Sequence, residues 1–197
     1  MILAVLNKMT EELIDVLNER GDKTGITMPR EIIHKDGLWH ASVQIWVYSP
    51  KRREVLLQKR SLEKESYPGR FDISAAGHVD AGESVENAAL REFHEELGIP
   101  IKFSDLEPIF IWRDSVEVKK GFLENEFQYV YLLEMDDLPT NIQKSELESV
   151  EFISFDKFMR EIGNPETAKI YVPHFYYPKL IAVLKTKMAI HQRKNSF

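Results

Sequence analysis

The stretch Gly77–Ile99, GHVDAGESVENAALREFHEELGI, constrains this chain of 197 residues more than any other. It reads as a glycine-bearing loop, an isolated acid at Glu83, and a helix carrying Arg91, Glu92, Glu95 and Glu96. Ser84 is placed to cap the helix, because its side-chain oxygen can accept from a free N–H of the first turn. Glu86 adds negative charge at the positive end of the helix dipole. Gly98 and Pro100 predict the stop, since glycine takes the left-handed terminal position and proline does not continue a helix. At about 100° per residue, Val85, Ala89, Leu90, Phe93 and Leu97 share one arc, the expected buried stripe, with Glu92, Glu95 and Glu96 gathered at its edge.

Three carboxylates that close repel one another unless a cation sits among them, and a hard divalent ion with oxygen ligands, Mg²⁺ or Mn²⁺, is the natural partner. Arg91, on the neighbouring side, is placed to tie the loop back to the helix through a carboxylate or backbone carbonyls. Any two of these glutamates are most simply a solvated face; the whole pattern is not. It runs Gly77, five residues, Glu83, seven residues, Arg91-Glu92, an apolar residue, any residue, Glu95-Glu96, any residue, Gly98, an apolar residue. With each fixed residue at ~7% abundance, a chance match in such a chain is roughly one in a million or rarer. The stretch resembles the Nudix box, complete, with Gly77, Glu83, Arg91 and Gly98 as its structural positions. The resemblance implies an α/β fold, the Nudix α/β/α sandwich with a mixed sheet. It also implies hydrolysis of a diphosphate linked to another moiety, without naming the substrate.

Composition narrows the partners. The formal net charge is −6, so no general basic surface suits a nucleic-acid polymer, and a small phosphorylated molecule must be met through metal ions or a few placed Lys and Arg. There is no cysteine, which excludes disulfides, thiolate zinc sites and a cysteine nucleophile. No segment approaches a membrane span, and the opening MILAVLNKMTEE makes a poor leader peptide, so a cytoplasmic protein is expected.

Along the chain, Thr10–Arg30 predicts a hairpin that turns at residues 18–22, and Pro29 opens a helical turn through REIIHKDG. Strands are expected at His40–Tyr48, Glu54–Lys59, Phe71–Ala76, Ile101–Trp112, Glu126–Glu134 and Val150–Ile153, with a polar loop around Lys119–Asn125. Phe155–Ile162 reads as a helix. Leu180, Ile181, Val183, Leu184, Met188 and Ile190 give a terminal helix over Pro178–Gln192. The expected organisation is a hairpin flap over 1–36, a catalytic domain over 37–165, and a C-terminal helical tail over 166–197 packed on that domain. Trp46, Trp112, Phe127, Tyr129 and Tyr131 read mostly as core.

Outside the box, HKDGLWHASVQIWV, LLQKRSLEKESYPGRFDIS and ENEFQYVYL resemble the branch around type I isopentenyl-diphosphate isomerase and its hydrolase relatives, including the Nudix domain of plant dipeptidyl peptidase III-like fusions. The resemblance implies that Arg60 and Lys64 hold a substrate diphosphate and that His40, His78, Glu124 and Glu126 belong to metal and acid chemistry. His34 matches a third histidine, one residue short of the usual spacing to His40. Taken alone, these histidines and cations would be ordinary surface residues. Where the isomerases carry a cysteine, two residues before His78, this chain has Ala76. Alkene isomerisation needs a paired acid and base, so isomerase activity is disfavoured. The expected function is a Mg²⁺- or Mn²⁺-dependent hydrolase of a nucleoside diphosphate derivative or related organic diphosphate. Glu92, Glu95, Glu96, Glu126, His40 and His78 are its candidate metal ligands. Glu95 is the first candidate base, followed by Glu126 and Glu124. A nucleotide-sensing module without turnover is the rival, and homodimers are common in the superfamily.

Overall fold

The computed structural model describes residues 12–64 and 66–194. The leader-peptide reading of the first eleven residues and the start of the hairpin at Thr10 lie outside them. Strands β1 (Leu13–Leu17) and β2 (Lys23–Pro29) pair antiparallel from Leu13↔Pro29 to Leu17↔Lys23. Asn18 closes their turn by accepting from the amides of Arg20 (2.8 Å) and Asp22 (3.0 Å). Helix α1 (Arg30–Asp36) follows and stops at Gly37, whose φ of 64° suits glycine. Ile14, Val16 and Ile33 give this flap a small core of its own.

The main body contains β3 (His40–Ser49), β4 (Glu54–Arg60), β5 (Phe71–Asp72), β6 (Ala75–His78), α2 (Val85–Leu97), β7 (Leu106–Lys119), β8 (Phe122–Glu134), β9 (Leu147–Ser154), α3 (Phe155–Ile162), α4 (Pro165–Ala168) and α5 (Tyr177–Lys194). The sheet runs β5-β4-β3-β8-β7, with β6 on β3 and β9 on β4. It is mixed because β3 and β8 are parallel, in register from His40↔Glu126 to Tyr48↔Glu134.

Strand β3 is buried along nearly its whole length, as a strand covered on both faces must be. Its residues alternate between two cores. Val43, Ile45 and Val47 join Ala88, Ala89, Phe93 and Leu97 of α2. Trp46 and Tyr48 join Phe158 of α3 and Leu180, Leu184 and Met188 of α5. Each large side chain buried this way contributes about 1.5–3 kcal/mol. The result is helix, sheet, helix: an α/β/α sandwich with an N-terminal hairpin and a C-terminal helix. Among the described residues, no helix is long and apolar enough to cross a membrane.

Four local expectations are corrected. The segment Phe71–Ala76 is not one strand: β5 pairs with β4, β6 pairs with β3, and the chain crosses between them at Ile73-Ser74. Val47 N donates to Ser74 Oγ (2.8 Å), which donates to Leu56 O (2.6 Å). Residues 47 and 56 are the next pair after Tyr48↔Val55, so the serine side chain replaces a rung of the β3–β4 ladder. Next, Ile101–Asp105 is not strand, because the Asp105 carboxylate takes the Lys102 amide (3.0 Å) and winds a short 3₁₀ turn. The polar stretch to Asn125 is instead almost all strand, a long β7–β8 hairpin turning at Gly121 (φ 76°). Finally, in α2, Val85 and Leu90 are only half-buried, whereas Ala88 and Glu96 are buried.

Candidate active site

Helix α2 is capped as its sequence requires: Ser84 Oγ accepts from Asn87 N (3.2 Å), and Gly98 ends it at φ 69°. That phasing turns Glu92 and Glu96 toward β6. An ideal Cβ on Gly77 would lie 2.1 Å from the Glu92 carboxyl carbon, so the β6 backbone is pressed against this carboxylate and any side chain at 77 would displace it. One residue back, Ala76 N donates to Glu96 Oε2 (3.1 Å).

Arg91 ties the loop to the helix. Its Nε and Nη2 donate to the two oxygens of Glu83 (3.1 and 2.8 Å), Nη2 donates to His78 O (3.0 Å), and Nη1 donates to Glu92 Oε1 (2.6 Å). Glu83 also accepts from Asp80 N (3.2 Å), which fixes the loop tip. Glu95 is half-exposed at the lip, 3.5 Å from Arg91.

Burial pushes the Glu92 carboxyl up to about 7 despite Arg91, with Glu95 adding repulsion. Burial and then Glu92 push Glu96 up to about 8. Two neighbouring carboxyls, one buried and one partly buried, that hold their protons near neutrality are relieved by a cation, and a set of hard oxygens suits Mg²⁺ or Mn²⁺. The residues present therefore fit the metal that the box implies.

A second group faces the same cleft. The ring nitrogens of His34, on α1, His40, at the start of β3, and His78, at the end of β6, converge within 4.8 Å. In each ring Nδ1 is occupied: His34 by Leu123 O (3.2 Å), His40 by Leu38 O (3.0 Å), His78 by Glu12 Oε1 (2.6 Å). These acceptors put the neutral ring's proton on Nδ1 and leave Nε2 as the lone-pair donor. His34 Nε2 and His40 Nε2 are buried with no hydrogen-bond partner among the described residues. Glu126 Oε1 lies 3.4 Å from His40 Nε2 and 3.7 Å from His78 Nε2. Its other oxygen accepts from Ser42 (2.9 Å) and Gln128 (3.0 Å). Burial opposes the Glu126 charge, but His40, His78 and Gln128 outweigh it and hold the carboxyl well below its ordinary range. Burial lowers His34 to about 4, with the charges of His78 and His40 adding to the shift. Glu124, two residues from Glu126 on the same strand face, is pushed up to about 8 by burial and then by Glu126.

Both groups open into one cleft of about 1090 Å³ that Arg60 and Lys64 also line. Those two cations are engaged by protein. Arg60 donates to Ser66 O (3.1 Å), Ser66 Oγ (3.1 Å) and Asp72 Oδ2 (2.8 Å), and Lys64 pairs with Glu146. The pattern of the sequence did not point to Glu12, Asp72 or His174 as cleft residues. A lone acid between Phe71 and Ile73 in an otherwise apolar strand was the available signal for Asp72; His174 had none. His34, on α1, has its ring 5.2 Å from the His40 ring and 5.2 Å from the His78 ring. Of the aromatics, Trp46 and Tyr131 are buried, and Phe127 packs on Trp39 (5.3 Å) beneath the flap.

Residues 38–173 match the family model of the NUDIX domain. Nudix hydrolase 3 of Arabidopsis thaliana is 34% identical over 196 residues, covering 95% of this chain and 25% of the plant protein, so the chain spans a quarter of that relative. An isopentenyl-diphosphate Delta-isomerase of Pectobacterium atrosepticum is 30% identical over 152 residues, covering 77% of this chain and 82% of the isomerase. A solved structure of a Deinococcus radiodurans protein superposes with a TM-score of 0.64 at 21% identity, over 89% of this chain and 98% of that one, which shows the shared fold. The family match over most of the chain, joined to an intact box seated on this mixed sheet, places the protein in the Nudix hydrolase family, in the branch that also holds the isomerases.

Proposed function

We propose that this protein is a divalent-metal-dependent hydrolase that cleaves the diphosphate linkage of a nucleoside diphosphate derivative or related organic diphosphate. The observation that carries this reading is the Glu92–Glu96 pair, set against Gly77 and Ala76 and lining an open cleft. Glu92, Glu95 and Glu96 would hold Mg²⁺ or Mn²⁺. His34, His40, His78 and Glu126 form a second donor set suited to a divalent ion with mixed nitrogen and oxygen preference. When bound, such an ion neutralises phosphate charge and makes water more acidic.

The chain's own groups do the rest. Glu95, the least confined acid of the box, takes the proton as water attacks phosphorus and the bridging P–O bond breaks; Glu126 and Glu124 are the next candidates. Arg60 and Lys64 steady the phosphate that is not attacked by exchanging Ser66 and Glu146 for its oxygens. Isomerisation is the weaker reading. Ala76 faces the cleft where an isomerase needs its thiol, and no cysteine exists elsewhere to replace it.

The test is phosphate release with Mg²⁺ or Mn²⁺ from a panel of nucleoside di- and triphosphates, nucleotide sugars, dinucleotides, coenzyme A and isoprenyl diphosphates. Metal-dependent release from one group is expected, with Glu96→Gln slower by about 10³-fold at unchanged melting temperature. Silence across the panel, together with tight nucleotide binding by calorimetry, would refute hydrolysis in favour of a sensing module.

A further inference from the structure

One wall of the cleft holds an acid–imidazole pair that the proposed hydrolysis does not use. Asp72, on β5, is 4% exposed and accepts from Arg60 Nη1 (2.8 Å) on one oxygen. Its other oxygen accepts from Ile73 N (2.8 Å) and lies 2.9 Å from His174 Nε2. His174 belongs to the segment between α4 and α5, one residue past the matched family region.

That segment is docked firmly on β5. Phe71 N donates to Ile170 O (2.9 Å), Val172 N donates to Phe71 O (2.8 Å), and Arg70 reaches Tyr171 O (3.3 Å). The His174 ring stacks on Tyr176 (5.2 Å, 29°) and meets Tyr177 edge-on (5.3 Å, 89°). Tyr176 is itself anchored by Trp46 Nε1 (3.1 Å). The ring is thereby held with Nε2 facing Asp72, and Nδ1 has no hydrogen-bond partner among the described residues.

The cleft is rich in carboxylates, and its cations are already committed: Arg30 faces Glu12, Arg60 faces Asp72, Lys64 pairs with Glu146, and Arg91 holds Glu83 and Glu92. An anionic ligand draws Arg60 and Lys64 only at the expense of their present partners, so a donor with no protein partner to give up adds to them at less cost. We propose that His174 is a substrate-contacting residue: a ring held by Asp72 whose Nδ1–H donates to a phosphate oxygen of a bound diphosphate. A ring with an N–H on each nitrogen bridges the buried carboxylate and the ligand. Asp72 is the positioning residue, shared with Arg60, so the two donors of this wall are set by one carboxylate. The inference rests on the diphosphate reading of the cleft.

The test separates the two ring nitrogens. Glutamine places its amide where Nε2 stood and keeps the Asp72 contact while removing the cleft donor; asparagine places an amide near Nδ1. Binding of methylenediphosphonate with Mg²⁺, measured by calorimetry, is expected to weaken about 10-fold or more in His174→Gln and to stay within about 3-fold of wild type in His174→Asn. Wild-type affinity in His174→Gln means the ring is only structural and overturns the proposal. If the variants do not fold, ¹⁵N-imidazole spectra of the wild type decide: the His174 resonances must move when methylenediphosphonate and Mg²⁺ are added, and unmoved resonances overturn it. A wild type that binds no diphosphonate overturns it as well. Binding through His174 without hydrolysis of any panel compound would refute the hydrolase and leave this inference standing. Intact hydrolysis with an indifferent His174→Gln would do the reverse.

Discussion

Gly77→Ala is the smallest change that separates the site from the fold. The new methyl carbon would sit 2.1 Å from the Glu92 carboxyl carbon and 2.2 and 2.3 Å from its oxygens. Non-bonded carbons settle at about 3.5–4.0 Å, so the carboxylate must retreat by roughly 1.4 Å or more. A glutamate tip can make that move by rotating, so the fold loses little. The Arg91–Glu92 contact at 2.6 Å is stretched, while the unfolded chain gives up glycine's freedom, which stabilises by about 0.4–1 kcal/mol. The net change in stability should stay within about 1 kcal/mol. A cation with near-ideal Mg²⁺ geometry does not tolerate that shift in a ligand, and a misplacement of ~1 Å costs on the order of 10²-fold in rate. Turnover of the best panel substrate should therefore fall about 100-fold, with weaker Mg²⁺ affinity by calorimetry, while thermal melting is nearly unchanged. A folded Gly77→Ala protein with wild-type turnover and metal affinity would show that the Glu92 carboxylate does not work from where it sits.

Two further expectations concern metal. The folded-state value of Glu96, about 8, lies above its ordinary 4.5, so the metal-free folded protein holds this proton more tightly than the unfolded chain and loses that stability as pH rises through 8. His34, lowered from 6.5 to about 4, pulls the other way only below pH 6.5, and Glu12, Asp72 and Glu126, held under their ordinary values, act in acid. Unfolding free energy in a chelator should thus fall between about pH 6.5 and 8, by at most ~1.4 kcal/mol per pH unit for each such carboxyl, and saturating Mg²⁺ should flatten the decline; a metal-free protein that grows more stable over this window contradicts the burial argument. Glu12→Ala frees His78 Nδ1, and Mn²⁺ affinity at the histidine group, followed by electron paramagnetic resonance, should drop about 10-fold or more; unchanged affinity would make the flap's carboxylate a bystander.

What could be read along the chain was whatever is decided within a few residues. The cap at Ser84, the stop at Gly98 and the facing of Glu92 and Glu96 all follow from one helix, and the bounds of α3 and the hairpin turn at residues 18–22 were local as well. The break between β5 and β6 was not, because Ser74 works by bridging Val47 and Leu56, partners that only the folded sheet brings to it. Nor was the β7–β8 hairpin, whose half-exposed faces carry polar residues where a buried strand would show apolar alternation. The site divides the same way. The box carboxylates share a helix, whereas Asp72 and His174 meet across 102 positions. Arg60 and Lys64 were legible as cleft residues, but not that Asp72, Ser66 and Glu146 already occupy them.

The four residues of β6 join both halves of the site. Its register on β3 is Ser42↔His78, Val43↔Gly77, Gln44↔Ala76 and Ile45↔Ala75. Alternation sends the buried Ala75 to the α2 core, brings the Gly77 backbone under Glu92, and turns Ala76 and His78 together toward the cleft. A slip of one residue would exchange these faces, driving an imidazole into the core and a methyl group into the space of the Glu92 carboxylate. The same alternation bears on the reaction. Ala76 stands beside His78, on the wall where the isomerases place their thiol, so the position is open to a ligand and chemically empty. The carboxylates of α2 and the histidine–glutamate group are both intact around it. A methyl group there, beside carboxylates and imidazoles suited to a cation, is what the proposed hydrolase requires and what an isomerase could not use, because moving protons on carbon needs an acid and a base.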